Sequence, residues 1–289
     1  MGVKEVFTCN SIDEVAELLN EYGSKSKVIA GGTDLIVAIR EKKLDPDALI
    51  DISKIKELKE MVVDGRSVRI GAGTTFTEIV DNPLFKDEFY GFYKACKLVG
   101  APQIRNKATI GGNVANNSPA ADAVPPLICL DAKLELYSKE GIREVRLEDY
   151  YKDKVNYGLR DNEIIKSLVF NKPEEDEIVT FAKLGLRKAL AISRITASGL
   201  IKLNDKKVME KVKVSSGSIS KYPIREYEVE DYLLGKELNE DTIEGAVKLL
   251  QGEMDRRLEG RSTLSYKRIA VESILKEVLF ERLNFEVIE

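Results

Sequence analysis

Two short glycine loops hold the residues best suited to chemistry. The first runs Val28-Ile29-Ala30-Gly31-Gly32-Thr33-Asp34-Leu35; the second runs Thr109-Ile110-Gly111-Gly112-Asn113 and continues in small residues to Asp122. In each, a β-prone run enters a segment without bulky side chains. Such a segment exposes backbone N–H groups, and convergent N–H groups bind phosphate. Thr33 and Thr109 add hydroxyls, and Asn113 and Asn117 add amides. One Gly-Gly pair is an ordinary turn. Two, each followed by a helical pattern, point to a ligand with a diphosphate. Neither loop has the spacing of a Rossmann or a P-loop motif.

Other residues carry two readings each. Asp34 is placed to cap the helix after the first loop. Asp122, near a second helix start, either caps it or accepts from ribose or ribityl hydroxyls, as acids do in nucleotide sites. Gly100 could let the chain approach a planar ring, with Val99 lying over it. Lys183 and Arg187 beside an apolar strand are either a solvated face or two cations that neutralise a phosphate or a reduced ring. Asp255-Arg256-Arg257 with Arg261, Ser262 and Tyr266 forms a charged patch, read as a domain or subunit contact without a catalytic role.

The composition narrows the chemistry. Histidine is absent, which removes Ser-His-Asp hydrolysis, Cys-His nucleophiles and His-ligated zinc. Three scattered cysteines, Cys9, Cys96 and Cys129, are too few for a cluster held by this chain and read as small buried hydrophobes. A bound cofactor is the economical source of difficult electron chemistry. The net charge of −4 argues against nucleic acid as the main partner. Apolar runs are too short for a membrane span, and no secretory signal is visible, so a cytoplasmic protein is expected.

The elements that must position these residues are legible. The 289 residues suit one large domain or two ordinary ones, and 43% hydrophobic content supports a sizeable core. Ser11 with Glu14 is a capping box, followed by an apolar stripe and a stop at Gly23. Strands are expected at Val28–Ala30 and Ala48–Ile52, with a helix between them ending near Lys43. Val62-Val63, Asp64-Gly65 and Val68–Ile70 make a hairpin. One helix is expected over Phe85–Leu98 and a short one at Leu127–Leu130, entered through Pro125-Pro126. Strands follow at Lys133–Tyr137 and Ile164–Phe170. Asn171–Glu177 is the best linker. Beyond it come antiparallel strands at Ile178–Leu184, Ile195–Leu203 and Val208–Ser215, then helices near 226–234, 240–251 and 266–282. The fold class is α+β.

Taken together, Ala30–Leu35, Pro102–Asn113 and Ser118-Pro119-Ala120-Ala121-Asp122 resemble the FAD-binding medium subunit of molybdenum hydroxylases: the xanthine dehydrogenase, nicotinate dehydrogenase and aerobic carbon monoxide dehydrogenase enzymes. Lys183–Ser193 and Arg261–Arg268 match the family's C-terminal domain. The resemblance covers nearly the whole chain. It implies a PCMH-type (vanillyl-alcohol-oxidase-like) FAD-binding fold over residues 1–172, with subdomains of about 1–58 and 59–172. A C-terminal α+β flavoprotein domain would follow over 178–289. By the same resemblance, Val28, Ile29, Ala30, Gly31, Gly32, Thr33, Asp34 and Leu35 wrap the FAD diphosphate. Thr109, Ile110, Gly111, Gly112 and Asn113 bind diphosphate and ribityl. Asp122 matches an acid near the FAD, and Gly100, Ile165, Lys183 and Ile192 fall at further flavin-contact positions.

The function implied is electron exit from a heterotrimer. A partner large subunit carries molybdopterin and hydroxylates the substrate. A small subunit passes electrons through two 2Fe-2S clusters to the FAD, which delivers them to NAD or another acceptor. A dimer of heterotrimers is implied. Ser118–Asp122 looks more like the xanthine or purine relatives than the nicotinate ones. No cysteine-bearing insert of the aromatic acyl-CoA reductase branch is present. The alternatives are a stand-alone FAD-dependent reductase of the same fold and a flavin-free assembly subunit.

Overall fold

Ser11 starts the first helix as its side chain dictates. Its hydroxyl accepts the Glu14 N–H at 3.3 Å, and the Glu14 carboxylate reaches back to the Asn10 N–H at 2.7 Å. Gly23, at φ 51°, ends that helix, Ile12–Tyr22. The computed structural model describes residues 2–187 and 192–280. They fall into two compact units.

The first unit comprises residues 2–81, 101–117 and 132–171. Strands β1 (Glu5–Thr8), β2 (Ser26–Ile29) and β3 (Ala48–Asp51) form a parallel sheet in the order β1-β3-β2. Ile12, Val15 and Leu19 of the first helix bury their side chains with Ile50, Ile52 and Ile55. The first glycine loop leaves the carboxyl end of β2, the end of a parallel sheet where ligands collect. A second, antiparallel sheet has the order β4-β5-β8-β6-β7. Its strands are β4 (Met61–Asp64), β5 (Ser67–Gly71), β6 (Lys133–Ser138), β7 (Gly141–Arg146) and β8 (Ile164–Asn171). Gly65, at φ 58°, makes the β4–β5 turn that Asp64-Gly65 signals.

The second unit comprises residues 82–100, 118–131 and 172 onward. Strands β9 (Glu177–Gly185), β10 (Ser193–Leu203), β11 (Met209–Gly217) and β12 (Ile224–Arg225) make an antiparallel sheet in the order β12-β11-β10-β9. The helices Glu240–Arg257 and Leu264–Phe280 pack their apolar faces on it, joining Ile243, Leu250, Val271 and Leu275 to Ile195, Ala197 and Val214. Residues 281 and 282 of the expected last helix lie outside the described residues.

One difference from the sequence reading stands out. Phe85–Leu98 is two helices, Pro83–Glu88 and Tyr90–Lys97, broken at Phe89 (φ −128°, ψ 46°). The rings of Phe85, Phe89 and Phe92 are all fully buried, with Phe85 5.8 and 5.6 Å from the other two, so ring packing overrides a continuous helix. The two compact units interleave along the chain. Residues 82–100 and 118–131 cluster with the chain beyond residue 172. Their apolar faces decide this. Gly91 lies so close to β9 that a Cβ there would be 2.6 Å from the Thr180 carbonyl carbon, and the Cys129 thiol rests on Ser198 O of β10 at 3.4 Å. No helix among the described residues is long and apolar enough to cross a membrane.

Candidate functional site

In the first unit the two glycine loops touch. A Cβ on Gly31 would lie 1.8 Å from Lys107 O, so only glycine lets this backbone settle against Lys107-Ala108, at the entry to the second loop. Gly32 holds φ 67°, in the left-handed region. The N–H groups of Gly31, Gly32, Thr33 and Asp34 donate to no group among the described residues. This row of donors at a strand end, half-buried at Gly31, Gly32 and Thr33 and exposed at Asp34, is a ready anion cradle. Asp34 stands at the N-cap position of Leu35–Arg40 but makes no side-chain cap bond. Its backbone is helical (φ −105°, ψ −45°) rather than extended, so the expected cap is not formed.

The second loop behaves differently. Thr109 is extended and caps the helix Ile110–Asn116 by accepting the Gly112 N–H at 3.1 Å. Ile110 N donates to Thr74 O at 3.0 Å, Gly111 N to Ala72 O at 2.9 Å and Asn113 N to Thr109 O at 2.9 Å. The N–H groups of Ile110, Gly111, Gly112 and Asn113 are therefore engaged within the protein. Gly111 is required by packing, since a Cβ would lie 2.4 Å from that of Ala72. Gly112 is exposed, and a Cβ there would meet only Thr109 Oγ1, at 2.9 Å. What this loop offers a ligand is acceptors. Asn113 Oδ1 and Asn117 Oδ1 are buried without a partner, as is Thr74 Oγ1. Such orphaned atoms cost free energy until something bonds them. Ile165 is buried in β8; its neighbour Lys166 accepts the Ala72 N–H at 2.9 Å, two hydrogen bonds from Gly111.

In the second unit Asp122 is not a helix cap. Ala123 holds the N-cap position of Val124–Cys129, and Asp122 turns inward. One carboxylate oxygen accepts from Lys183 Nζ at 2.6 Å and the other from the Ser193 hydroxyl. The Lys183 ammonium also donates to Leu98 O at 3.0 Å. With its side chain 9% exposed, Lys183 is not part of a solvated face. Burial pushes the Asp122 carboxyl above the ordinary carboxylate range, and the Lys183 and Ser193 bonds pull it back. The same burial, with the Asp122 charge second, holds the Cys96 thiol well above its usual range, leaving it inert.

Gly100 takes φ 47°, where the chain leaves the helix Tyr90–Lys97, and Val99 beside it is half-buried. Ile192 is 82% exposed, and Leu186 and Arg187 are exposed as well. Sequence reasoning missed Ser193 as a partner of Asp122. Its only signal was a position in a β-prone run, whereas a register shift in β10 is what turns it toward the carboxylate.

Known proteins then place the chain. Residues 3–172 match the family model described as the FAD binding domain in molybdopterin dehydrogenase, and residues 180–281 match that of the CO dehydrogenase flavoprotein C-terminal domain. This chain belongs to the FAD-binding subunits of the molybdenum hydroxylases. It is the flavoprotein part of an oxidoreductase, and its cofactor is FAD. It is 34% identical over 284 residues to the nicotinate dehydrogenase FAD-subunit of Eubacterium barkeri, covering 97% of this chain and 96% of that one. It is 28% identical over 260 residues to the xanthine dehydrogenase FAD-binding subunit of Escherichia coli, covering 89% and 88%. Among solved structures, a chain of the cyanide-inactivated Cu,Mo-CO dehydrogenase superposes with a TM-score of 0.88 at 25% identity, covering 96% of both chains. The residues present fit the cofactor, because free N–H groups at Gly31–Asp34 suit a diphosphate and the orphaned acceptors suit hydroxyls.

Proposed function

We propose that this chain is the electron-transfer subunit of a molybdopterin-dependent hydroxylase. FAD, when bound, supplies two-electron chemistry coupled to single-electron delivery from 2Fe-2S clusters on a small partner subunit, with NAD or another acceptor as the exit. A large partner subunit carries molybdopterin and the substrate. In this reading the chain's own residues bind and orient. The N–H row at Gly31–Asp34 holds the diphosphate, while Asn113 and Asn117 accept from cofactor hydroxyls. Val99, Gly100, Asp122, Ile165, Lys183 and Ile192 are proposed as further flavin contacts. Lys183 would offer positive charge, held in place by Asp122.

The observation that carries this reading is the unpaired N–H row after β2, in a chain that matches the family over nearly its full length. The pentapeptide Ser118–Asp122 leans toward a xanthine-type enzyme, but identity to the nicotinate subunit is higher than to the xanthine subunit. No substrate is therefore assigned, and its selection is placed on the partner.

The test is isolation of the complex from its native host by a tag on this chain. Flavin absorbance, iron and molybdenum should co-purify with one copy of each partner per chain. A complex without flavin would sink the electron-transfer reading in favour of an assembly subunit. A lone flavin-bearing chain that turns over a small substrate with a nicotinamide cofactor would replace it with a stand-alone reductase.

A further inference from the structure

A bulge aims Ser193 at Asp122. Ser193 pairs with Gly185 and Ile195 with Leu184, so β10 carries one residue more than β9 over this stretch. An extra residue turns the side chain beside it off the ordinary alternation. The Ser193 carbonyl accepts the Ser218 hydroxyl at 3.1 Å, and the Ser218 N–H donates to Pro119 O at 2.8 Å. Ser218, at φ 65°, thus ties the start of β10 to the turn that leads into Asp122. That turn is closed in its own right, by Ala120 N to Ser118 Oγ at 3.2 Å and Ala121 N to Ser118 O at 3.1 Å. Both ends of the Ser193–Asp122 hydrogen bond are therefore anchored, and both residues are buried.

This bond decides how the Lys183 ammonium is shared. A carboxylate with two open oxygens can take two N–H groups of one cation. Here Ser193 engages Oδ1, and Lys183 meets Oδ2 alone, at 2.6 Å. A second N–H of Lys183 goes to Leu98 O at 3.0 Å. An ammonium has three donors. The third is bonded to no group among the described residues, although the side chain is only 9% exposed. A buried donor left over in this way costs free energy that an acceptor on a ligand would recover.

We propose that Ser193 is a positioning residue for the cofactor: its hydroxyl holds the Asp122 carboxylate so that Lys183 keeps one N–H, with its charge, free for the flavin. The proposal rests on the FAD reading above, in which Lys183 is a flavin contact, and adds a residue that acts through Asp122. A cation beside a flavin favours its more negative, reduced form. Without the Ser193 hydroxyl the carboxylate can turn and draw the third N–H to Oδ1, which withdraws the ammonium.

The test is the midpoint potential of FAD bound to the full chain, measured by spectroelectrochemistry beside the flavin-to-protein ratio and a thermal melt. Lys183→Met should weaken the preference for reduced over oxidised FAD about tenfold, which is about 30 mV for a two-electron couple. Ser193→Ala should move it the same way by about threefold or more. Ser193→Thr keeps the hydroxyl and should stay near the wild-type value. Lys183→Met leaves Asp122 buried without its cation, so the double variant Asp122→Asn with Lys183→Met supplies a neutral pair should the single one not fold. A Ser193→Ala chain that melts lower while its potential is unchanged or raised would overturn the positioning role and leave a structural one. Failure of the wild-type chain to take up FAD would overturn the FAD reading and the proposal together. A wild-type chain that holds FAD, with the same potential in every variant, would overturn the proposal alone.

Discussion

Asp122 and Lys183 show how one pair of side chains can be more than its residue types suggest. A buried ion pair contributes little against a well-packed apolar alternative, but breaking it on one side is costly. Asp122→Ala leaves the Lys183 ammonium buried with only Leu98 O as partner, and should destabilise the protein by about 3–5 kcal/mol. A lowered urea midpoint with an unchanged slope checks this. A second pair sets part of the acid limit. Burial pushes the Glu163 carboxyl up, but the Arg143 guanidinium and the Arg160 N–H more than offset it, and the net displacement is below 4.5. Its stabilising contribution is therefore present above pH 4.5 and is lost as the pH falls through the lower folded value. Glu163→Gln should flatten the acid limb of a stability–pH curve below about pH 4.5, measured by denaturant melts at stepped pH. Asp122 has the opposite sign. Its displacement is upward, so its ionisation weakens the fold as the pH rises from 3.8 through the folded value.

The helix Ile110–Asn116 separates two glycines that look equivalent in sequence. Gly111 is spent on packing against Ala72, whereas Gly112 faces outward over its own Thr109 cap. Gly111→Val should overpack the first unit and cost about 1–3 kcal/mol or more. Gly112→Val should leave the melting midpoint within a few degrees and lower the flavin-to-protein ratio. Parallel thermal melts and visible spectra of the two variants separate these outcomes, and equal flavin retention in Gly112→Val would remove that residue from the cofactor site. The cap at Ser11, the Asp64-Gly65 turn and the proline-led helix Val124–Cys129 were all legible, because each depends on contacts within a few residues. The break at Phe89 was not, because it answers to rings brought together by burial.

At the scale of the whole chain, FAD should act as a folding ligand. Free FAD at a hundred times its dissociation constant should add about 2.7 kcal/mol of stability, read as a rise in melting temperature that grows with FAD concentration. A midpoint insensitive to FAD would contradict a cofactor bound to the native state. Most strands and helices and the two glycine loops could be read from residue types and spacing, because periodicity, caps and turns are local, whereas strand β1 (Glu5–Thr8) was not. The lack of histidine and the flavoprotein family followed from the same string of residues. Three matters were decided only by the tertiary structure. Residues 82–100 and 118–131 joined the C-terminal unit, because their apolar faces found β9 and β10 there. Asp122 became an ion-pair partner instead of a cap, because a one-residue bulge turned Ser193 and strand pairing held Lys183 nearby. The N–H groups of Ile110 and Gly111 are spent inside the second loop's surroundings, because Thr74 and Ala72, far from that loop in sequence, supply the carbonyls that take them. Local preference writes the elements into the chain, and the long-range pairing of buried polar groups decides which of them remain available for a ligand.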